Sequence, residues 1–471
     1  METSVVINTE ASGFWNTVKA AVRGERKDFT SGSLRRALFM LAVPMVLEMV
    51  MESLFAVVDV FYVSRVGVNA VATVGLTESV MMLLYAVGIG LAMAVTAFVA
   101  RRTGEKNLEA ASECAMQGIF LATLISIPVA LVGIIFAPEI LRLMGGTEEL
   151  VREGANYTRI LLGGNIVIML LFVNNAAFRG AGDAAIAMRV LWLANGLNII
   201  LCPLFIFGLG PFPRLGVTGA ALATTLGRGI GAAYQLYNLS AQKSVLRIHR
   251  KDLRPQPHLI LEMLRVSVGG MSQFLVGSAS WIFMVRILST FGSGAVAGYT
   301  VAMRTIFFTI LPSWGLANAA ATLVGQNLGA KQPERAEKSV WTAAVYNMVF
   351  LGVISVIFFL GANQILHIYS HEPEVVRTGV LCLRIICLGY IFYAYGMVIG
   401  QAFNGAGDTR TPTLINLFCF WVLQIPIAFV LAKILNFGPP GVFVAQASSF
   451  SLLAIISIII FRKGRWKQVK L

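Results

Sequence analysis

FRGAGD, residues 178–183, returns as FNGAGD at residues 403–408, an interval of 225. The same interval, without gaps, pairs Gly67 with Gly292, Gly104 with Gly329, Lys106 with Lys331 and Gly164 with Gly389. It also pairs Glu149 with Glu374, Arg152 with Arg377, Gly154 with Gly379 and Arg159-Ile160 with Arg384-Ile385. Loop glycines and charges match, which apolar composition alone would not produce. The chain is therefore read as two copies of one unit.

Each copy is built of apolar stretches. Of the 471 residues, 57% are hydrophobic and 13% charged, about half the charge of a soluble domain. The mean hydropathy is +0.76. This excludes a soluble globular protein and a disordered one. A hydrocarbon core about 30 Å thick needs about 20 apolar residues per crossing helix. Twelve stretches meet that length, near 36–62, 72–99, 113–136, 157–177, 186–208, 217–238, 260–288, 296–322, 339–360, 381–402, 412–434 and 442–461.

The fold class is thus all-α and integral to the membrane, with twelve transmembrane helices in two pseudo-symmetric six-helix lobes. An even number of spans per copy makes the repeats parallel, related by an axis along the membrane normal. The expected parts are an arm at 1–35, an N-lobe at 36–238, a linker at 239–258, a C-lobe at 259–461 and a basic tail at 462–471.

Charge sets the orientation. The net charge is +14. With the N-terminus inside, 25 Lys and Arg fall in inner segments and 5 in outer loops. That is the positive-inside bias, so the basic balance does not call for nucleic acid. Both termini are expected in the cytoplasm of a cell whose inner membrane holds the chain. Residues 1–33 show no signal-peptide pattern. Phe14, Trp15, Val18 and Val22 recur at helical spacing beside Lys19, Arg23 and Arg26, suiting either a short interfacial helix or a loose arm.

Ionisable residues inside spans are costly and mark function. The first span carries Glu48, Glu52 and Asp59. On a helical wheel they fall within about 40° of one another, and the ladder is about 16 Å long. Such a stripe should face the bundle, not lipid, and some of its members are expected to be protonated near neutral pH or to bind a cation. Glu48 and Glu52 could equally hydrogen-bond neighbouring helices. Na⁺ at Asp59 is one option. Pro44 in the same span removes a helical hydrogen bond and serves either as a hinge or as an ordinary membrane proline. Asn174 and Asn175 on span 4, with Asn195, Asn198 and Cys202 on span 5, are candidates to line the cavity or to glue helices. In the C-lobe, Gln273 is the matching cavity candidate, and Arg286 and Arg304 either pair with carboxylates or snorkel.

No Walker A loop, nucleophile elbow or zinc constellation appears, so neither an enzyme nor an ATP-driven pump is expected, and no cofactor. Cys114, Cys202, Cys382, Cys387 and Cys419 lie in or beside apolar spans without metal-ligand spacing.

These features together resemble the prokaryotic multidrug and toxic compound extrusion (MATE) transporters. The resemblance covers about residues 30–461. It is carried by the two Gly-Ala-Gly-Asp turns, TSGSLRRALFMLAVPMVLEMVMESLFAVVDVFYVSRVG at 30–67, NGLNIILCPLFIFG at 195–208 and LGVTGAALATT at 215–225. It implies export of organic cations in exchange for H⁺ or Na⁺, by alternating access between the lobes. It assigns ion coupling to Asp59 with Asn175 and Asn198, and bending to Pro44. Two departures stand out. Cys202 occupies a position where the family often has Asp, so Glu48 or Glu52 would take over part of its role. MSQFLVGSASW at 271–281 lacks the span-7 acid of one branch. The expected partners are small organic cations, the coupling ion and the bilayer, for a protein working as a monomer. The alternative is a flippase or exporter of a lipid-linked or other polar metabolite, whose cleft should be lined with cations. A channel or receptor comes after it.

Overall fold

The computed structural model describes residues 14–25, 28–241, 244–247 and 254–471. Arg26, Lys27, Lys243, Arg250 and Lys251, counted above, lie outside that set, as do residues 1–13. The described residues contain helices and no strand. A short helix, α1 (Phe14–Arg23), precedes the first lobe. That lobe comprises α2 (Leu34–Ser64), α3 (Val68–Gly104), α4 (Leu108–Leu143), α5 (Glu148–Gly163), α6 (Asn165–Ala181), α7 (Ala184–Phe207) and α8 (Val217–Ser240). The second comprises α9 (Pro257–Ser289), α10 (Ser293–Gly329), α11 (Pro333–Tyr369), α12 (Pro373–Leu388), α13 (Tyr390–Ala406), α14 (Arg410–Asn416), α15 (Ile425–Phe429) and α16 (Pro439–Arg462). π-helical turns at Leu417–Gln424 and Val430–Ile434 join α14 and α15 into one span, Arg410–Ile434.

Ten described helices are long and apolar enough to cross a membrane, counting Glu148–Ala181 as one, and the bent pair α12–α13 makes eleven. α8 is the twelfth: Arg228, Gln235 and Asn238 make it more polar without shortening its 24 residues, about 36 Å of helix. Spans 4 and 10 start earlier than their apolar runs, at Glu148 and Pro373. Their first turns are polar, so hydropathy missed them. Both are interrupted at paired glycines, before Asn165 and before Tyr390, the second break bending the helix by 59°.

The repeat is visible in the backbone. Gly182 and Gly407 end α6 and α13 with φ of 90° and 89°. In each turn the Asp N–H returns to the Phe carbonyl of the motif, Asp183 to Phe178 at 2.8 Å and Asp408 to Phe403 at 2.9 Å. This is the Schellman ending that glycine permits. Lys106 and Lys331 take the same left-handed conformation, with φ of 62° and 58°. The Arg159 Nε donates to the Ile134 carbonyl at 3.0 Å, and Arg384 to Phe359 at 3.1 Å.

The lobes meet at the end of the molecule that carries the described arm and tail. There α3 and α10 touch backbone to backbone. A Cβ on Gly104 would collide with the Gln326 carbonyl, and one on Gly329 with the Arg101 carbonyl. Gln326 Nε2 donates to Gly180 O at 2.8 Å and Arg101 Nη2 to Ala406 O at 3.3 Å, each crossing between lobes. The segments around them add to the seal. Arg101 also holds the Val469 carbonyl at 3.0 Å. Arg335 reaches the carbonyls of Ser31 and Gly32, both at 3.0 Å.

α2 belongs to both sides of this seam. Its first half, Leu38, Leu41 and Met45, is buried in one core with Ala320, Leu323, Val324 and Phe403 of the C-lobe. Its second half packs on α7, where Trp192 Nε1 donates to Leu47 O at 3.1 Å. Pro44 sits at the changeover. The helix passes through it without a break, so no interruption accompanies the proline in this state.

Candidate functional site

Beyond the seal the lobes part around a cavity of about 790 Å³, within the range of small-molecule sites. It extends to the end remote from the seam, where Tyr369 at the tip of α11 lines it. The C-lobe wall is largely apolar and aromatic, with Phe274, Phe307, Phe308 and Trp314, but it also carries Arg304. The N-lobe wall carries Glu48, Glu52, Asp59 and Glu78, with Tyr85, Arg179 and Arg228.

Glu48, Glu52 and Asp59 all line this cavity, yet their partners differ. Glu48 is buried, and its Oε1 accepts from Asn175 Nδ2 at 3.2 Å and from Arg179 Nη1 at 3.4 Å. Its Oε2 has no hydrogen-bond partner among the described residues. Glu52 accepts from Asn195 Nδ2 at 2.9 Å and pairs with Arg228 Nη2 at 3.6 Å. The Arg228 guanidinium also lies 5.4 Å from the Phe55 ring centroid. Asp59 faces the Cys202 thiol, Sγ to Oδ1 3.9 Å, and among the described residues no cationic nitrogen comes within 4.0 Å of it. The first span thus presents two neutralised carboxylates and, further from the seam, one that is not.

Three expected cavity or coupling residues lie elsewhere. Asn198 donates to Thr224 Oγ1 at 2.8 Å and does not line the cavity. Asn174 donates to Gln235 Oε1 at 3.2 Å, and Gln235 in turn donates to Asn175 Oδ1 at 2.7 Å. Gln273 donates to Asn404 Oδ1 at 2.9 Å and to Thr409 O at 3.1 Å. Each side-chain NH2 group is taken up by a polar group of another segment, since a buried donor without a partner is costly, while the Oδ1 atoms of Asn174 and Asn198 have no partner among the described residues. Asn195 and Cys202 are buried behind the wall and reach the site only through Glu52 and Asp59.

Counting charges along the first span overlooked the arginines. Arg179 reads as a loop cation at a helix end, and Arg228 as one polar residue in a glycine-rich span. Arg179 lies four residues past Asn175, on the same helical face, and that spacing was the available signal. The repeat also explains the Gln273–Asn404 contact. At the 225-residue interval Glu48 corresponds to Gln273 and Arg179 to Asn404. One contact is built twice, charged in the N-lobe and neutral in the C-lobe. Arg304 forms no hydrogen bond or ion pair within 4.0 Å among the described residues, and is exposed toward the cavity.

Two repeated six-span lobes around a central cavity, closed at one end, have the architecture of a membrane transporter built from internal repeats. The MatE family model matches residues 44–204 and 270–430, one stretch in each repeat, and the chain belongs to that family of multidrug efflux transporters. It is 27% identical over 441 residues to the probable multidrug resistance protein NorM of Thermotoga maritima, spanning 92% of this chain and 94% of that one. Its fold is similar to a solved outward-facing conformation of a multidrug resistance MATE family transporter. The TM-score is 0.87 at 26% identity, covering 94% of this chain and 98% of the other. A transporter from Pyrococcus furiosus, described as having reverse polarity of its binding pocket suggesting a different function, matches with a TM-score of 0.86. It is 26% identical and covers 98% of this chain and 100% of its own.

Proposed function

We propose that this multi-pass membrane protein exports organic cations by antiport, with a proton bound at Asp59 as the exchanged ion. The observation that carries the reading is Asp59 itself: a carboxylate on the cavity side of α2 with a thiol beside it and, among the described residues, no cationic nitrogen within 4.0 Å. A hard cation such as Na⁺ takes several oxygen ligands, whereas the neighbour of Asp59 is a sulfur. A proton needs only the carboxylate. Glu48 and Glu52, already paired with Arg179 and Arg228, hold the helix in place rather than bind the exchanged ion.

With both termini in the cytoplasm, as the 25-to-5 division of Lys and Arg supports, the sealed end faces inward. The cavity then opens outward across the inner membrane. Proton uptake at Asp59 displaces a cationic solute, and α2 repacks about Pro44 as the lobes rock. One charge crossing 100 mV supplies about 2.3 kcal/mol, and one pH unit about 1.4 kcal/mol. A single chain encloses the cavity, which suits a monomer.

The test uses purified protein in liposomes. A pH gradient or a sodium gradient is imposed separately while a fluorescent organic cation is followed, with Asp59→Asn in parallel. Uptake driven by pH and lost in the variant is the expected result. Uptake driven by sodium alone overturns the proton assignment. The second reading, export of a polar or lipid-linked metabolite, is favoured by the three cavity arginines. Co-purification of a lipid precursor, detected by mass spectrometry, would promote it.

A further inference from the structure

The charges of the cavity are segregated by lobe, and only part of them is available to a solute. Arg179 and Arg228 have side chains 12% exposed and are held by Glu48 and Glu52. Arg304 is the one charged residue that the described C-lobe contributes to the cavity lining; among the described residues no side chain pairs with it within 4.0 Å, and the Glu78 carboxylate acts on it only from farther away. Eleven residues into α10, it stands about 16 Å from that end of the helix, inside the span. Phe307 and Phe308, one turn on, are half-exposed to the same cavity, and Trp314 lines it further down. Across from this wall stand Asp59 and Glu78. Glu78 is ten residues into α3 and therefore at nearly the same depth.

From this arrangement we infer that the preferred solutes are aromatic zwitterions, and that Arg304 is the residue that selects them. The carboxylate or phosphate of the solute takes the guanidinium, its ring lies against Phe307, Phe308 and Trp314, and its ammonium group faces Asp59 and Glu78. An unpaired guanidinium at this depth is costly, and an anionic group from the solute supplies the planar, two-point partner it lacks. A solute bearing only positive charge meets the same carboxylates but leaves Arg304 unpaired beside its own charge. This inference rests on the central cavity being the substrate site.

The test compares three molecules with one skeleton: 3-(2-naphthyl)alanine, its carboxamide, which is cationic only, and its N-acetyl derivative, which is anionic only. Binding to the detergent-purified full chain is measured by equilibrium dialysis at pH 7. The wild-type protein is expected to bind the zwitterion about tenfold or more tightly than either relative, the usual worth of a charge-assisted contact. Arg304→Gln brings the zwitterion-to-carboxamide ratio to about one, and Arg304→Lys keeps part of it. Equal or tighter binding of the carboxamide by wild-type protein overturns the inference and leaves the cation-export reading standing. A ratio unchanged in Arg304→Gln also overturns it. If that variant binds nothing, Arg304→Lys decides: a preference kept in part supports selection by charge, and a preference lost overturns it. If none of the three binds wild-type protein at millimolar concentration, this inference falls together with the reading of the cavity as the substrate site.

Discussion

Arg179 lies 3.4 Å from Glu48, and Asn404, its counterpart in the second repeat, lies 2.9 Å from Gln273. The two contacts join equivalent helices at equivalent depths. One is an ion pair and the other a pair of amides, and they correspond to the single difference between FRGAGD and FNGAGD.

The amide version is a ready-made control for the charged one. Glu48→Gln alone leaves Arg179 confined without its carboxylate, and Arg179→Asn alone strands Glu48. Each should cost about 3 kcal/mol, the usual result of breaking one side of a buried pair. The double variant copies the C-lobe and should return to within about 1 kcal/mol of wild type. Unfolding in mixed micelles measures the cycle, and additive losses would show that the two side chains do not interact.

Asp59 and Glu52 should separate stability from transport. Asp59→Asn removes no cation's partner, so its melting should stay close to wild type while pH-driven uptake is lost. Glu52→Gln deprives Arg228 of its carboxylate and should destabilise by about 1–3 kcal/mol. Thermal melts alongside liposome uptake check both. A strongly destabilised Asp59→Asn would indicate a structural carboxylate.

The seam should not tolerate side chains. Gly104→Val and Gly329→Val each push a branched group into the facing carbonyl, and both should disfavour the sealed end. Thr96 lines the cavity on the α3 side, and the five native cysteines are buried. A cysteine introduced at Thr96 should therefore become reactive to a bulky maleimide from the sealed side in either variant, and remain protected in the parent.

Asp28, ahead of α2, gives a pH signature outside the membrane. Burial alone would raise its pKa, but hydrogen bonds from Lys106 and Thr30 outweigh it and hold the carboxyl at about 2. A pKa below the unfolded value of about 3.9 means stability that is present above pH 4 and is lost as pH falls toward 2. Both side chains of the Lys106–Asp28 bridge, 2.6 Å long, are more than 40% exposed, so the effect should stay below about 1 kcal/mol. Asp28→Asn should melt slightly lower than wild type at pH 6, and the gap should close near pH 2.

The spans, the repeat and the acidic face of α2 were legible because each is periodic. A 225-residue interval and a 100° wheel need no partner to be seen. What a wheel leaves out is the length of the side chain and the identity of the facing helix. Arg179 belongs by position to a basic helix end, yet it reaches back into the bundle to Glu48. Asn198, Asn174 and Gln273 fall on promising faces, but Thr224, Gln235 and Asn404 reach them first. Polar residues in an apolar bundle bind their nearest polar neighbour, and that neighbour comes from another part of the chain.

The meeting of Gly104 with Gln326 and of Gly329 with Arg101 has a wider meaning. When residue i touches j and the equivalent of j touches the equivalent of i, the contact is isologous, the geometry of a twofold homodimer. Here both protomers of such a dimer are carried on one polypeptide. Each half can therefore be altered alone, with its twin left intact as a reference inside the same molecule. A symmetric homodimer does not permit that experiment, because every substitution there is made twice.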